Sequence, residues 1–190
     1  MSLRKAEPGE EVLTRADEKW WRQCPDTADC WDPDNERPSA LMFRWDDTGE
    51  LSGAREDGST AAQAYDHRVN VEKKGSKGTW AVKVGTVTGM SMQLIDDTAN
   101  LPEPPKSPPG HAYFDARDVS RAKSKAGRDE RERVRSKLFR AAMRLGKQHP
   151  VDEVGAASTA DTENVSAAST TTTSATLNPP DAAEGDDAAS

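Results

Sequence analysis

The chain has 190 residues, of which 31% are charged and 34% hydrophobic, and its formal net charge is −7. All 26 basic residues precede Val151, whereas eight of the 33 acidic residues follow it, so the first 150 residues are nearly neutral. The acidic balance therefore belongs to the C-terminal end and excludes no class of partner for the rest of the chain.

The composition also indicates how the chain is divided into segments and whether it enters a membrane. No window approaches the roughly 18 consecutive apolar residues of a membrane span, and the N-terminus lacks the apolar stretch of a signal peptide, so we expect a cytoplasmic protein without a membrane partner. Residues 151–190 contain no Lys, Arg or aromatic residue and cannot bury enough apolar surface to offset the entropy of ordering. The sequence predicts a flexible N-terminus (1–9), one α+β domain (10–149) and a disordered acidic Ala/Thr/Asp-rich tail (150–190).

The first predicted elements are a helix, a loop and a hairpin. A helix is predicted over residues 10–23, because Ala16 and Trp20 follow Leu13 at helical spacing and Pro25 disfavours helix just before it. A loop rich in Asp, Asn and Pro runs to residue 38. The alternating apolar residues of SALMFRW (39–45) predict a strand that returns, through a turn at 46–49, as a short strand at 50–52.

The rest of the domain alternates short strands with two helices. Thr60 and Gln63 have the spacing of a capping box and predict a helix running through Arg68. Strands are predicted in TWAVKVGTV (79–87), SMQLID (91–96) and HAYFD (111–115), with a Pro-rich surface connection over 101–110. A basic final helix carries an apolar stripe formed by Val134, Leu138, Ala141, Ala142 and Leu145. Together these patterns predict an α+β fold, with a mixed or antiparallel sheet of four to five strands packed by two or three helices.

In this order, the motifs WRQ-x-P (21–25), RPS-x3-F (37–43), G-x-WAV-x-VG (78–85) and HA (111–112) make the chain resemble a family of small uncharacterised bacterial proteins. The resemblance spans about Glu18 to His149. That family tends to carry histidine where this chain has Cys24. The resemblance implies a shared fold and no particular chemistry.

The stretch WWRQCPDTADCW holds both cysteines, Cys24 and Cys30, with three of the five tryptophans. A metal site and a disulfide are two interpretations, but structural zinc favours closer ligand pairs and cytosolic disulfides rarely persist. The third interpretation is that Trp20, Trp21 and Trp31 cover the edge of a core while the cysteines remain thiols. We favour the third and expect no metal and no cofactor.

Catalysis would need an acid/base group held in a pocket. The candidates are His111, Asp115 and His67, with Arg44 as an anion clamp, and His111 follows a long Pro-rich loop where functional residues often lie. No hydrolase, nucleotide-binding or zinc-protease motif accompanies them. We therefore expect a protein without enzymatic activity, with a small hydrolase or transferase centred on His111 as an alternative.

The most charged segment is residues 117–147, with twelve basic and four acidic residues. If the apolar stripe faces the core, a row of cations follows its outer side and could contact phosphates. These polyanion-binding candidates are Arg133, Lys137, Arg140 and Arg144. The leading hypothesis is an accessory or interaction module that presents this basic helix to an unknown protein partner. The alternative is a nucleic-acid-binding protein whose acidic tail competes for the helix.

Overall fold

The computed structural model describes residue 3 and residues 5–45, 48–102, 108–120 and 124–150. These residues fall within one compact unit, Met1–Asp152. Apart from Pro150, the predicted disordered tail lies outside the described residues, as do Asp46 and Asp47 of the predicted hairpin turn and residues 103–107 of the Pro-rich connection.

A seven-stranded sheet forms the centre of the fold, and every neighbouring pair in it is antiparallel. The strands are β1 Glu11–Val12, β2 Lys19–Pro25, β3 Trp31–Asp32, β4 Arg37–Pro38, β5 Glu50–Arg55, β6 Ser76–Lys83, β7 Gln93–Asp96, β8 His111–Asp115 and β9 Lys147–His149. Their order is β1-β7-β8-β5-β2-β6-β9, and β3 pairs with β4 separately. The α+β class is confirmed, although the sheet has more strands than the four or five predicted.

Four α-helices accompany the sheet in the described part of the chain. They are α1 Ala61–Asp66, which continues as a π-helix over His67–Val71, α2 Val84–Thr88, α3 Arg117–Ser120 and α4 Lys125–Leu145. The capping box that predicted α1 is present: the Thr60 hydroxyl accepts from the Gln63 amide, and the Gln63 side chain accepts from the Thr60 amide. None of the helices described is long and apolar enough to cross a bilayer.

The predicted helix over 10–23 is wrong, because its second half is the central strand β2. This strand pairs with β6 along its whole length and with β5 at Trp20 and Trp21. Those two tryptophans are 0% and 5% exposed and lie on opposite faces of the sheet. A strand buried on both faces shows no polar alternation, so its apolar residues were misread as helical spacing.

The predicted strand in SALMFRW is also wrong, and so is the hairpin that depended on it. Ala40–Phe43 is a turn of 3₁₀-helix, capped by the Ser39 hydroxyl, which accepts from the Leu41 amide at 3.2 Å. Met42 and Phe43 are both 0% exposed, so the turn places two consecutive apolar residues in the core. β5 pairs instead with β2 and β8.

The other predicted strands are confirmed, but two are shorter at one end: the strand predicted over 79–87 ends at Lys83, and the strand predicted over 91–96 begins at Gln93. β6 ends at Lys83 because the amides of Val84 and Gly85 donate to the carbonyls of Glu18 and Ala16, both at 2.9 Å, and residues 84–88 turn into α2.

The main core lies between one face of the sheet and α4. The predicted stripe is buried at Val134, Leu138, Ala141 and Ala142, which pack with Trp20, Val82, Phe114 and the Met42–Phe43 turn. Gly146, at φ 74°, ends the helix. We call this side of the sheet the α4 face and the opposite side the groove face.

An ion cluster ties three strand ends together on the α4 face. Arg55 of β5 is 2.9 Å from Glu18, which is only 2% exposed, and 2.8 Å from Asp96 of β7. Burial opposes the Arg55 charge, but the bonds to Asp96 and Glu18 outweigh it and raise its pKa. The Arg55 charge is therefore balanced by carboxylates of the fold itself.

Leu138→Ala should lower the free energy of unfolding by about 2–5 kcal/mol, because it leaves a cavity between α4 and the sheet. Urea unfolding of the full chain measures the change. Leu3→Ala is the matched control, since Leu3 is 55% exposed, and should change stability by less than about 0.5 kcal/mol. Equal losses in the two variants would contradict the packing described.

Candidate functional site

The candidate site begins where β2 and β5 separate. Their pairing covers only Trp20 with Arg55 and Trp21 with Ala54, whereas β2 continues beside β6 to Pro25. Glycine is needed at position 53, where β5 passes close to β2. A Cβ there would lie 2.4 Å from the Trp20 indole nitrogen and 2.5 Å from the Trp21 carbonyl oxygen. Beyond this point the two strands leave a gap in the sheet.

The Arg22 guanidinium occupies that gap. Its Nε donates to the Met42 carbonyl at 2.9 Å and its Nη1 to the Ser52 carbonyl at 2.8 Å. In the part of the chain that the structure describes, no carboxylate lies within 4.0 Å of this cation. Burial, followed by the nearby Arg68 charge, lowers the pKa of Arg22 to about 10. Arg22 therefore stays charged at neutral pH, at an electrostatic cost that a bound anion would reduce.

One wall of the site is the segment that follows α1. Arg68 donates from Nε to the Gly75 carbonyl at 3.3 Å and, within the described residues, has no carboxylate within 4.0 Å. Glu72 is instead paired with Lys74 at 2.9 Å, and the His67 Nδ1 lies 3.3 Å from it. Burial opposes ionisation of Glu72, but the Lys74 hydrogen bond outweighs it and lowers the pKa.

The opposite wall carries a histidine and carboxylate pair. His111 begins β8, opposite Ala54 of β5, and its Nδ1 is 2.5 Å from the Asp97 carboxylate. The two side chains are 13% and 17% exposed. Engagement of Nδ1 fixes the ring and leaves Nε2 as the outward nitrogen, which has no hydrogen bond to any residue that the structure describes.

These walls enclose a groove of about 600 Å³ on the groove face, within the range of small-molecule sites. Its charged and titratable lining residues are Arg22, Arg44, Arg68, Lys74, Glu50, Glu72, His67 and His111. Its apolar lining includes Trp21, Ala54, Ala64, Leu101, Pro102 and Pro108. Because Glu72 is paired with Lys74 and Glu50 lies 3.6 Å from Arg117, the uncompensated charge in the groove is positive. We refer to it as the β5 groove.

The sequence-predicted catalytic candidates are only partly brought together. His111, His67 and Arg44 all line the β5 groove, but among the described contacts no hydrogen bond or ion pair joins them. Arg44 is 66% exposed and 4.0 Å from Asp29. Asp115 does not line the groove: its carboxylate accepts two hydrogen bonds from the Arg117 guanidinium, both at 2.9 Å.

Three contributors were missed by sequence reasoning. Asp97 follows β7 in the pair Asp96-Asp97 and meets His111 only because β7 and β8 are neighbours. Arg22 lies within the WRQ motif, so a signal was present, but the residue was assigned to a helix. Arg68 was noted only as part of α1.

The two cysteines are both free thiols, and Cys24 donates to the Cys30 carbonyl at 3.3 Å. Burial, and then the neighbouring Cys30, raise the pKa of Cys24 to about 12, so it is a buried and unreactive thiol. The described residues contain no group of three or more His, Cys, Asp or Glu side chains that could hold a metal ion. The prediction that the tryptophans pack into a core is confirmed: Trp20 and Trp21 are buried, and the Trp31 ring lies 6.4 Å from the Trp80 ring at a tilt of 52°.

The polyanion-binding candidates on α4 fall into two groups. Arg133 is held by Glu130 through two hydrogen bonds at 2.5 and 2.7 Å. Lys137, Arg140 and Arg144 have no carboxylate within 4.0 Å among the described residues and line a shallow groove beside Met90 and Met143. We call these three residues the basic stripe.

Asp115→Asn should make the protein less stable at neutral pH and less sensitive to acid. Burial opposes ionisation of Asp115, but the Arg117 hydrogen bonds outweigh it and lower the pKa. A lowered carboxyl pKa contributes stability above the unfolded value of about 4 and loses it as pH falls through the folded value. We expect a loss of about 1–3 kcal/mol at pH 7 and a shallower decline below about pH 4, measured by urea unfolding across pH.

The exposed neighbour Asp118 provides the control for this measurement. Asp118→Asn should leave both the stability at pH 7 and its acid dependence close to those of the unmodified chain. A wild-type pH profile in Asp115→Asn would contradict the role assigned to the Asp115–Arg117 pair.

Comparisons with family models, curated proteins and solved structures found no match to this chain. The resemblance to small bacterial proteins therefore stays a prediction. The chemistry of the β5 groove follows from its own side chains: two arginines without acidic partners on one side and a histidine held by a carboxylate on the other.

Proposed function

We propose that this protein binds a small anionic ligand, carrying a carboxylate or phosphate group, in the β5 groove. The observation that carries the proposal is that Arg22 and Arg68 lie near one another at the groove and that neither has a carboxylate within 4.0 Å among the described residues. The Glu72 charge, which Lys74 already pairs, reaches both arginines only from a longer distance. Like charges so placed repel each other, and an anion between them would relieve that repulsion.

The geometry of Arg22 supports this role. Two of its nitrogens, Nε and Nη1, are fixed by the Met42 and Ser52 carbonyls. A guanidinium held in this way is oriented before a ligand arrives, so little side-chain entropy is lost on binding. Charge-assisted hydrogen bonds from arginine to carboxylate or phosphate are among the strongest in proteins.

Contrast with two other largely enclosed arginines, Arg55 and Arg117, strengthens the argument. Arg55 and Arg117 each contact carboxylates at 2.8–2.9 Å and act within the fold. Arg22 instead bonds carbonyl oxygens, which leave its net charge uncompensated. A purely structural link between strands does not account for a second cation at the same groove, Arg68, that has no carboxylate within 4.0 Å among the described residues.

Arg68→Gln should weaken the binding of succinate and inorganic phosphate by at least about tenfold, because a charge-assisted hydrogen bond contributes about 1.5–3 kcal/mol. Isothermal titration calorimetry of the full chain at low salt measures the affinity. Arg22→Lys should weaken binding similarly, since it keeps the charge but loses the planar fork.

The control for this measurement is Arg37→Gln, which removes an exposed arginine of β4 outside the groove. It should bind both anions as the unmodified chain does. Equal affinities in the Arg68 and Arg37 variants would contradict a ligand site in the β5 groove.

A second candidate function is polyanion binding by the basic stripe. The observation favouring it is that these three α4 cations lie without acidic partners among the described residues, unlike Arg133. The near-neutral charge of the domain and the short length of the stripe make it a weaker proposal. A role for α4 in contacting a protein partner remains a prediction.

Replacing Lys137, Arg140 and Arg144 together by Gln should reduce heparin and duplex DNA affinity and lower the slope of log K against log salt by about 2–3. Fluorescence anisotropy at several salt concentrations measures this slope. The matched control replaces Lys5, Lys73 and Lys83, which are exposed elsewhere. If both triple variants lose affinity equally, the charge effect is general and the stripe is not the site.

A further inference from the structure

We propose that the β5 groove hydrolyses carboxylic esters that carry a second anionic group, with His111 as the catalytic residue and Asp97 as its positioning residue. The inference rests on the proposed function, because Arg22 and Arg68 hold the anionic group. It assigns a role to the pair formed by His111, which lines the groove, and Asp97, because anion binding alone does not require such a pair.

The register of the sheet gives the spacing. His111 lies opposite Ala54 on β5, and Arg22 binds the carbonyl of Ser52, two residues along the same strand. Two residues of a strand span about 7 Å. An anionic group at Arg22 would therefore place an ester linkage a few bonds away near His111, as in a monoester of a short dicarboxylic acid.

The surroundings of His111 suit proton transfer. Its Nδ1 is held by Asp97, so the ring is fixed in the tautomer that leaves Nε2 as the proton acceptor. The Thr98 hydroxyl donates to the His111 carbonyl at 3.2 Å, and its amide donates to the Asp96 carboxylate at 2.8 Å, so the segment carrying Asp97 is itself held in place. The groove is open enough to admit water.

In the proposed step, His111 Nε2 takes a proton from a water molecule as its oxygen attacks the ester carbonyl. The resulting tetrahedral adduct collapses, the bond between the carbonyl carbon and the alkoxy oxygen breaks, and the leaving oxygen receives the proton back from Nε2. The products are an alcohol and a new carboxylic acid group, which ionises by releasing its proton to solvent and leaves a dicarboxylate, and His111 returns to its starting state. Water is the co-reactant, and no electrons are exchanged.

The test uses the full 190-residue chain with the 4-nitrophenyl monoesters of succinic and glutaric acid. We expect kcat/KM for at least one monoester to exceed that for 4-nitrophenyl acetate by at least about tenfold, because the acetate lacks the anionic group. His111→Gln should lower kcat by about 10²- to 10⁴-fold, as for loss of a general base, while succinate binding is retained. His149→Gln, which removes a histidine outside the groove, should be unchanged.

The Asp97→Asn variant tests whether Asp97 positions the His111 ring for catalysis or only stabilises the fold. It should lower kcat at least about tenfold with KM and melting temperature nearly unchanged, and Asp97→Glu should restore part of the loss. Arg68→Gln should abolish the preference for the monoesters over the acetate.

Three results would overturn the proposal. Monoester hydrolysis that is equal in the wild-type and His111→Gln chains would do so, and Arg68-dependent succinate binding would then show that the binding site stands without the activity. Hydrolysis that depends on His111 but not on the second anionic group would remove the role given to the arginines. Absence of both binding and hydrolysis would remove the proposed function as well.

Discussion

The fold depends on a backbone ladder that stops early and on the arginine that fills the opening. After Trp21, β2 and β5 no longer pair, and the Arg22 side chain instead donates to the Ser52 carbonyl of β5 and to the Met42 carbonyl of the 3₁₀ turn. Carbonyl oxygens left unpaired in a sheet are costly, so this side chain stabilises the gap. The same side chain brings a positive charge to the groove. Arg22 therefore both stabilises the sheet and contributes to the candidate site.

The two faces of the sheet have different roles: the α4 face holds the main core, and the groove face holds the candidate ligand site. On the α4 face, Phe114 and Leu138 are buried in a continuous apolar core, and the Arg55 charge is enclosed by carboxylates. On the groove face, a smaller apolar cluster that includes Trp21 and Ala64 lies beside polar side chains. Arg22 and Arg68 at this groove have no carboxylate within 4.0 Å among the described residues. Arg55 therefore has carboxylate partners, whereas the two arginines that could bind a ligand donate to carbonyl oxygens.

Local signals in the sequence predicted several elements well. The α1 capping box involves residues three apart, the apolar stripe of α4 repeats over several turns, and β8 is a short apolar run between turn-forming residues. The prediction for the segment of β2 failed because a strand covered on both faces has no alternation of polar and apolar residues to detect. Ala40–Phe43 failed because its alternation suits a strand, whereas the Ser39 cap and the burial of two adjacent side chains favour a 3₁₀ turn.

By itself, the sequence determined the fold class, the basic C-terminal helix and the importance of His111 as a candidate, because each depends on residues close together in the chain. Only the tertiary structure decided that β2 is a central strand, that His111 pairs with Asp97 rather than Asp115, and that Arg22 and Arg68 share a groove. His111 and Asp97 are 14 residues apart in the chain, and Arg22 and Arg68 are 46 apart. Strand pairing brings such residues together, and the order of strands in a sheet is set by burial across the whole domain rather than by any local pattern.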